Sequence, residues 1–161
     1  YDYSPDYADM IAEKGIFVDP TLALSRLNQL RSVDGIGPAS GAFASTDLRY
    51  EILRDMWDRG VKFVTGMDSG MTNANFDDFA YIPEVMVEDM GITPMEAIIS
   101  ATQVSADCLG LLDEIGTLEE GKAADVLIIN GNPAVDIKAL HDVNTIVKQG
   151  QIVKQENELL I

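Results

Sequence analysis

Cysteine is almost absent from the sequence, in which Cys108 is the single example among 161 residues. One cysteine excludes an internal disulfide framework and a cysteine-based zinc cluster within the chain. Because Cys108 falls on a helical pattern, we expect it to be a small core residue. No apolar run is long enough to span a bilayer, and the first six residues lack the basic and apolar stretches of a signal peptide.

Positive charge is also scarce, since 11 lysines and arginines face 27 aspartates and glutamates and leave a net charge of −16. Nucleic acid and anionic membrane surfaces would repel such a chain, so we expect neither as a partner. The charge predicts a soluble protein. It identifies no compartment, although solubility favours the cytoplasm. Four acidic pairs are expected on solvated faces rather than in metal sites: Asp77-Asp78, Glu88-Asp89, Asp113-Glu114 and Glu119-Glu120.

Apolar patterns typical of helices and strands alternate over the first part of the chain. Strands separated by amphipathic helices imply parallel pairing with right-handed crossovers, which predicts an α/β fold. In such sheets ligands bind beyond the carboxyl ends of the strands. The predicted elements are a short helix between Ser4-Pro5 and Gly15, a strand over 16–18, a helix over 22–30, an amphipathic helix over 48–57 and a strand over 61–64.

The remainder of the chain changes character. After a polar loop over 71–78, the apolar pattern over 82–90 predicts one helix, and the capping box over 93–96 begins another that ends near Gly110. A strand over 124–130 and a hairpin turn at Gln149-Gly150 then predict a small β unit. This unit contains too few strands to bury both of its faces.

A single aspartate, Asp68, follows the second predicted strand, in the run Gly66-Met67-Asp68-Ser69-Gly70. The glycines of this run allow the backbone to turn sharply and let a ligand come close. Asp68 is therefore a candidate for chemistry, and Thr21 lies at the end of the first predicted strand. The alternative is structural, because an aspartate after a strand often only caps the next helix or closes a turn.

Three sets of motifs follow one another along the chain. They are Gly66-Met67-Asp68-Ser69-Gly70; Gly91-Ile92-Thr93-Pro94-Met95-Glu96-Ala97 with Ala101-Thr102 and Leu109-Gly110-Leu111; and Ile115-Gly116-Thr117-Leu118-Glu119-Glu120-Gly121-Lys122-Ala123-Ala124-Asp125-Val126 with Gly131-Asn132-Pro133. Together they resemble the C-terminal part of the metal-dependent amidohydrolases, in the branch of imidazolonepropionase-like enzymes and dipeptidases. The resemblance implies that residues 1–112 form the C-terminal part of a (β/α)8 TIM-type barrel and residues 113–161 part of a small β-sandwich.

The resemblance also implies a role for Asp68. In that family the corresponding aspartate binds a divalent metal, zinc in our expectation for the full-length enzyme, and serves as the catalytic base. It accepts the proton of the metal-bound water and passes it to the leaving nitrogen. The implied reaction is hydrolysis of an amide bond in a small substrate such as a dipeptide, an N-acyl amino acid or a cyclic imide. We expect Thr21, Met67, Ser69 and Gly70 to contact that substrate.

The sequence departs from the family in its metal ligands. The other ligands of the family are histidines and a bridging lysine, whereas this chain contains one histidine, His141, which we expect to be solvated or to cap a helix. Met67 stands where threonine is usual, and the loop over 72–75 lacks a histidine often found there. We therefore interpret the chain as a C-terminal fragment that begins just after the last histidine strand, with no hydrolysis and at most weak metal binding on its own.

Two other interpretations are open. The chain could be a non-catalytic half-barrel that binds the missing N-terminal half or self-associates as a homo-oligomer, because half a barrel exposes sheet edges and apolar faces. Alternatively, the strand-end aspartate could bind magnesium for phosphoryl transfer. No glycine-rich phosphate loop with a lysine supports that second interpretation.

Overall fold

The computed structural model describes residues 2–31, 46–70, 74–156 and 158–160. The chain divides into two units, Tyr1–Thr93 and Pro94–Ile161. The division expected after residue 112, between two domains of the family, stays a prediction. Among the described residues, no helix has both the length and the apolar character that crossing a membrane requires.

The first unit is built of helices around a short parallel sheet. The two strands pair in parallel, with Phe17 opposite Lys62 and Val18 opposite Phe63, as the alternation of helices and strands predicted. The Val64 N–H continues the pairing by donating to the Val18 carbonyl at 3.0 Å. The elements are α1 (Pro5–Glu13), β1 (Phe17–Val18), α2 (Ala23–Leu30), α3 (Thr46–Asp58), β2 (Lys62–Phe63), a 3-10 helix (Phe76–Ala80) and α4 (Tyr81–Glu88).

Proline and glycine delimit α1 as the sequence predicted. Pro5 occupies the first helical position, where its missing N–H costs nothing. Gly15 follows the helix with φ of +62°, a conformation that glycine adopts without strain. Ser4 precedes the helix in an extended conformation, but its side chain makes no capping hydrogen bond.

The core of the first unit lies where α2 packs against α4 and where β2 is covered by α3. Leu22, Leu27, Ile82 and Met86 are all less than 2% exposed, as is Phe63 of β2. Burying a side chain of this size stabilises a fold by about 1.5–3 kcal/mol. The Trp57 ring of α3 meets the Phe63 ring edge to face, with 5.8 Å between centroids.

Asp78 is buried, so the prediction that its acidic pair lies on a solvated face is wrong for this residue. It is 4% exposed, and its carboxylate accepts two hydrogen bonds from the Arg31 guanidinium, at 2.5 and 2.6 Å. The Asn75 N–H donates to the same carboxylate at 2.7 Å. Asp77 and the other three acidic pairs are exposed, as expected.

A polar loop was predicted over 71–78. Its first three residues, 71–73, lie outside the described residues. From Phe76 onward the chain forms the 3-10 helix instead of a loop.

The second unit begins with one continuous helical stretch and ends in an antiparallel sheet. Its four described strands lie in the order β3-β4-β5-β6. The predicted hairpin is confirmed: Gln149 and Gly150 turn with φ of +49° and +80°. The elements are α5 (Pro94–Ile99), a π-helical segment (Ser100–Val104), α6 (Ser105–Cys108), β3 (Val126–Ile129), a 3-10 helix (Ile137–His141), β4 (Val143–Lys148), β5 (Gln151–Gln155) and β6 (Glu158–Leu159).

Cys108 is exposed, so its predicted place in the core is wrong. It is the last residue of α6, whose buried residue is Ala106. Residues two positions apart on a helix are rotated by about 200°, so Ala106 and Cys108 lie on nearly opposite faces.

The antiparallel sheet of the second unit leaves large apolar side chains uncovered, as its small number of strands predicted. Leu127, Ile128, Ile152 and Leu159 are each 48–67% exposed.

Candidate functional site

The carboxyl ends of β1 and β2 lie at the same edge of the first unit, because the two strands run parallel. β1 leads into Asp19, Pro20 and Thr21. β2 leads through Gly66 and Met67 into Asp68. The fold therefore brings the chain segments of two predicted site residues, Thr21 and Asp68, to one edge of the sheet.

The Asp68 side chain is exposed, and its carboxylate has neither a hydrogen bond nor an ion pair with any residue that the structure describes. The next helix is preceded by Asn75, which occupies the capping position. The Gly70 N–H, which could close a turn on Asp68, donates instead to the Ala74 carbonyl at 3.1 Å. Among the described residues, Asp68 therefore serves neither as the cap of the next helix nor as the acceptor that closes this turn.

Backbone strain marks the same edge. Within the described part of the chain, four residues other than glycine have positive φ: Thr21 (+47°), Asp68 (+52°), Gln149 (+49°) and Glu156 (+52°). Gln149 and Glu156 lie in the turns that join β4 to β5 and β5 to β6, where such angles are ordinary. Thr21 and Asp68 lie at the strand ends, and each costs about 1–3 kcal/mol, a strain that accumulates at functional sites.

Asp19 lies at this edge too, and it is not among the site residues predicted from the sequence. Its Oδ1 accepts hydrogen bonds from the Thr21 N–H at 3.0 Å and from the Gly66 N–H at 3.1 Å. Asp19 follows β1 directly, as an acid at the mouth of a strand, which is the same signal that singled out Asp68. The proline after it suggested only that the strand ended there.

The other predicted substrate contacts differ in exposure. Met67 is 8% exposed, so its side chain belongs to the core. Ser69 is half-buried, and its hydroxyl donates to the Asn75 carbonyl at 3.4 Å. Gly70 is exposed with φ of +103°. Their contact with a substrate stays a prediction, as does that of Thr21.

Among the residues that the structure describes, metal-ligating side chains do not gather at this edge. Across the described residues, no group of three or more histidine, cysteine, aspartate or glutamate side chains is arranged to hold a metal ion. His141 is exposed and lies in the second unit, at the end of its 3-10 helix. A protein zinc site needs three or four ligands. The Asp68 carboxylate fits one position of such a site, and the described residues supply no complete set.

The residues point to a family, and comparison with known proteins decides it. The model of the amidohydrolase family matches residues 3–153. The chain belongs to the amidohydrolase family. The resemblance drawn from the strand-end aspartate and the glycine-lysine motif is thereby confirmed.

Relatives in this family include enzymes with several names. The chain is 29% identical to the imidazolonepropionase of Geobacillus kaustophilus over an alignment of 163 residues. The alignment covers 96% of this chain and 38% of the relative. It is 30% identical over 126 residues to a 5-methylthioadenosine/S-adenosylhomocysteine deaminase of Moorella thermoacetica, covering 66% of this chain and 29% of the relative. The chain thus spans well under half the length of these relatives.

A solved structure shares the fold. The crystal structure of a prolidase complexed with N-methylphosphonate-L-proline is 25% identical to this chain, with a TM-score of 0.76. The match covers 94% of this chain and 38% of the prolidase. The mixed α/β fold of this amidohydrolase chain is therefore one that solved members of the family share.

Proposed function

We propose that this chain supplies the C-terminal part of a metal-dependent amidohydrolase that cleaves a carbon–nitrogen bond in a small amide. The observation that carries the proposal is the state of Asp68. In a chain of this family, it is an exposed carboxylate at a strand end, held in strained backbone and without a protein partner among the described residues. Strain at such a position is retained when function requires it.

Asp68 acts as the proton carrier in this proposal. A carboxylate beside the attacking water takes its proton as the amide carbonyl is attacked, and then gives the proton to the leaving nitrogen. A divalent metal, zinc in our proposal, would lower the pKa of that water when bound. Asp68 would hold this ion together with ligands from outside the described residues. The edge around Thr21, Ser69 and Gly70 would orient the substrate, with Met67 supporting that edge from the core.

The type of bond in this proposal is supported by the chemistry that the relatives' names share. Imidazolonepropionase, deaminase and prolidase are all names of enzymes that hydrolyse carbon–nitrogen bonds. We propose a small amide: a dipeptide, an N-acyl amino acid or a cyclic imide. Nucleic acid is disfavoured as a substrate, because a chain with net charge −16 repels it.

The test is hydrolysis by the full-length enzyme that contains this chain, with alanyl-proline, an N-acetyl amino acid and imidazolonepropionate as probes. Asp68→Asn preserves the size of the side chain but removes the base, so we expect the rate to fall by about 10²–10⁴-fold. Asp77→Asn, which alters an exposed acid of the same unit, is the matched control and should leave the rate unchanged. Undiminished hydrolysis in Asp68→Ala, in an enzyme without bound divalent metal, would rule the proposal out.

A second function has one observation in its favour. The described sheet of the first unit has two strands, and so it has an unpaired edge on each side. We propose that the chain, taken alone, is a non-catalytic module that associates either with the segment supplying the missing ligands or with itself. A light-scattering mass of one chain, together with cooperative unfolding, would count against this module.

A further inference from the structure

We infer that Asp19 is a positioning residue, whose carboxylate fixes the backbone segment that carries Asp68. The inference rests on the proposed function of Asp68 and names a residue that acts on that site without touching the substrate. Asp19 lies on the segment after β1, whereas Asp68 lies on the segment after β2. Beyond the strand pairing, which continues to the Val64 N–H on the Val18 carbonyl, a side chain also joins the two segments.

A single oxygen provides that contact. Oδ1 of Asp19 accepts from the Thr21 N–H on its own segment and from the Gly66 N–H on the other, at 3.0 and 3.1 Å. Gly66 is 47 residues away from Asp19 in sequence and two residues before Asp68. The carboxylate therefore ties the strained turn at Thr21 to the start of the strained turn at Asp68.

Gly66 shows how close this contact is. A Cβ atom at position 66 would lie 1.7 Å from Oδ2 of Asp19 and 2.7 Å from its Cγ. The carboxylate thus occupies the space that any other side chain would need, and glycine is required for this approach. The hydrogen bond from the Gly66 N–H to Oδ1 therefore forms at a place where only glycine leaves room for the carboxylate.

This geometry assigns Asp19 to positioning rather than to chemistry. Two backbone N–H groups share its Oδ1, one from each segment, so this oxygen is engaged by the protein itself. What the contact requires is a hydrogen-bond acceptor of this size, and not a negative charge. Asparagine offers the same carbonyl oxygen in the same place, whereas alanine offers none.

The consequence is a kinetic effect transmitted through Asp68. Without the Asp19 acceptor, the Gly66-Met67-Asp68 segment loses its anchor, and a shift of about 1 Å at a reacting group can lower a rate by about 100-fold. We expect Asp19→Ala to lower kcat of the full-length enzyme by about 10-fold or more, with KM changed by less than about threefold. Asp19→Asn should stay within about threefold of the unmodified enzyme in both constants.

The experiment compares Asp19→Ala, Asp19→Asn and Asp68→Asn, with alanyl-proline and imidazolonepropionate as the probes. Rates are normalised to the folded fraction measured by urea unfolding. In parallel, ¹H–¹⁵N spectra of the chain follow the Thr21 and Gly66 amides. These two resonances should move in Asp19→Ala and remain near their original positions in Asp19→Asn.

The possible outcomes separate the two proposals. Full activity in Asp68→Asn would refute the proposed function. Activity lost in Asp68→Asn but kept in Asp19→Ala would overturn the positioning role alone. Equal losses of activity in Asp19→Asn and Asp19→Ala would also overturn the positioning role, because the charge rather than the hydrogen-bond acceptor would then matter. Amide resonances that do not move in Asp19→Ala would overturn it as well.

Discussion

Replacing Gly66 with alanine should destabilise the first unit through one contact. The new Cβ would lie 1.7 Å from Oδ2 of Asp19, so the carboxylate must retreat by roughly 1.7 Å to reach an ordinary contact distance of about 3.4 Å. Its hydrogen bonds to the Thr21 and Gly66 N–H groups, now at 3.0 and 3.1 Å, would then break. The backbone at Gly66 lies outside the left-handed region, so alanine itself meets no backbone strain there.

The size of the effect follows from these contacts. Two hydrogen bonds contribute about 1 kcal/mol each to the free energy of unfolding. Alanine restricts the unfolded chain more than glycine does and returns about 0.4–1 kcal/mol. The net expectation for Gly66→Ala is therefore a loss of about 1 kcal/mol. Urea unfolding followed by Trp57 fluorescence measures it, because the sole tryptophan of the chain packs on Phe63 of β2.

The matched control is Gly66→Ala in an Asp19→Ala background. With the carboxylate gone, the new Cβ meets no obstacle from residue 19, and only the effect on the unfolded chain is left. The sign should reverse, to a gain of about 0.4–1 kcal/mol. An equal loss in both backgrounds would refute the reasoning, because the cost would then not arise from Asp19.

Three further outcomes are expected. The Arg59 guanidinium is the larger cause, and the Tyr3 hydroxyl the second, that lowers the pKa of the Asp55 carboxyl from its ordinary value of 3.8. The stability that these contacts confer is therefore fully present above pH 3.8 and is lost as the pH falls through the lowered pKa. Urea titrations should show Asp55→Asn destabilised at pH 7 and matching the unmodified chain in acid; a constant difference would contradict this. Lys122→Met removes the ammonium that donates a hydrogen bond to the Leu112 carbonyl at 2.6 Å. This loss should lower the stability of the second unit by about 1–3 kcal/mol and speed hydrogen exchange over 112–122. Unchanged exchange would count against this prediction. Calorimetry of the chain alone should find an affinity for zinc that is weaker than micromolar. Tighter binding that is lost in Asp68→Ala would contradict this expectation.

Features determined by residues close in sequence were predictable. The stripe over 48–57 defined α3, which ends at Asp58 just before Gly60. Gln149-Gly150 defined the hairpin, because a two-residue turn requires positive φ at both positions. The place of Asp68 after β2 followed from the apolar run before it, and parallel pairing then brought its segment to the edge where Thr21 lies.

Features determined by distant residues were not predictable from the same patterns. Asp78 is buried because Arg31, 47 residues earlier, supplies a guanidinium that satisfies its charge. Asp19 contacts Gly66, and nothing in the local sequence of either residue indicates that contact. Cys108 matched the helical period, but it is exposed at the end of α6, two positions after the buried Ala106. For Asp78 and Asp19, the deciding partner comes close only when the chain is folded.

The site edge and the core of the first unit are stabilised by different forces, and this difference separates the effects of substitution. The core around Leu27, Phe63 and Met86 is apolar and fully buried, so truncating one of these side chains costs about 2–5 kcal/mol of stability. The edge depends on hydrogen bonds at exposed positions, where each contributes about 1 kcal/mol. Those bonds must hold Thr21 and Asp68 in backbone conformations that both residues disfavour. Substitutions in the core should therefore reduce the amount of folded protein without altering what it does, whereas loss of the Asp19 acceptor should leave most of the protein folded and change the geometry at Asp68.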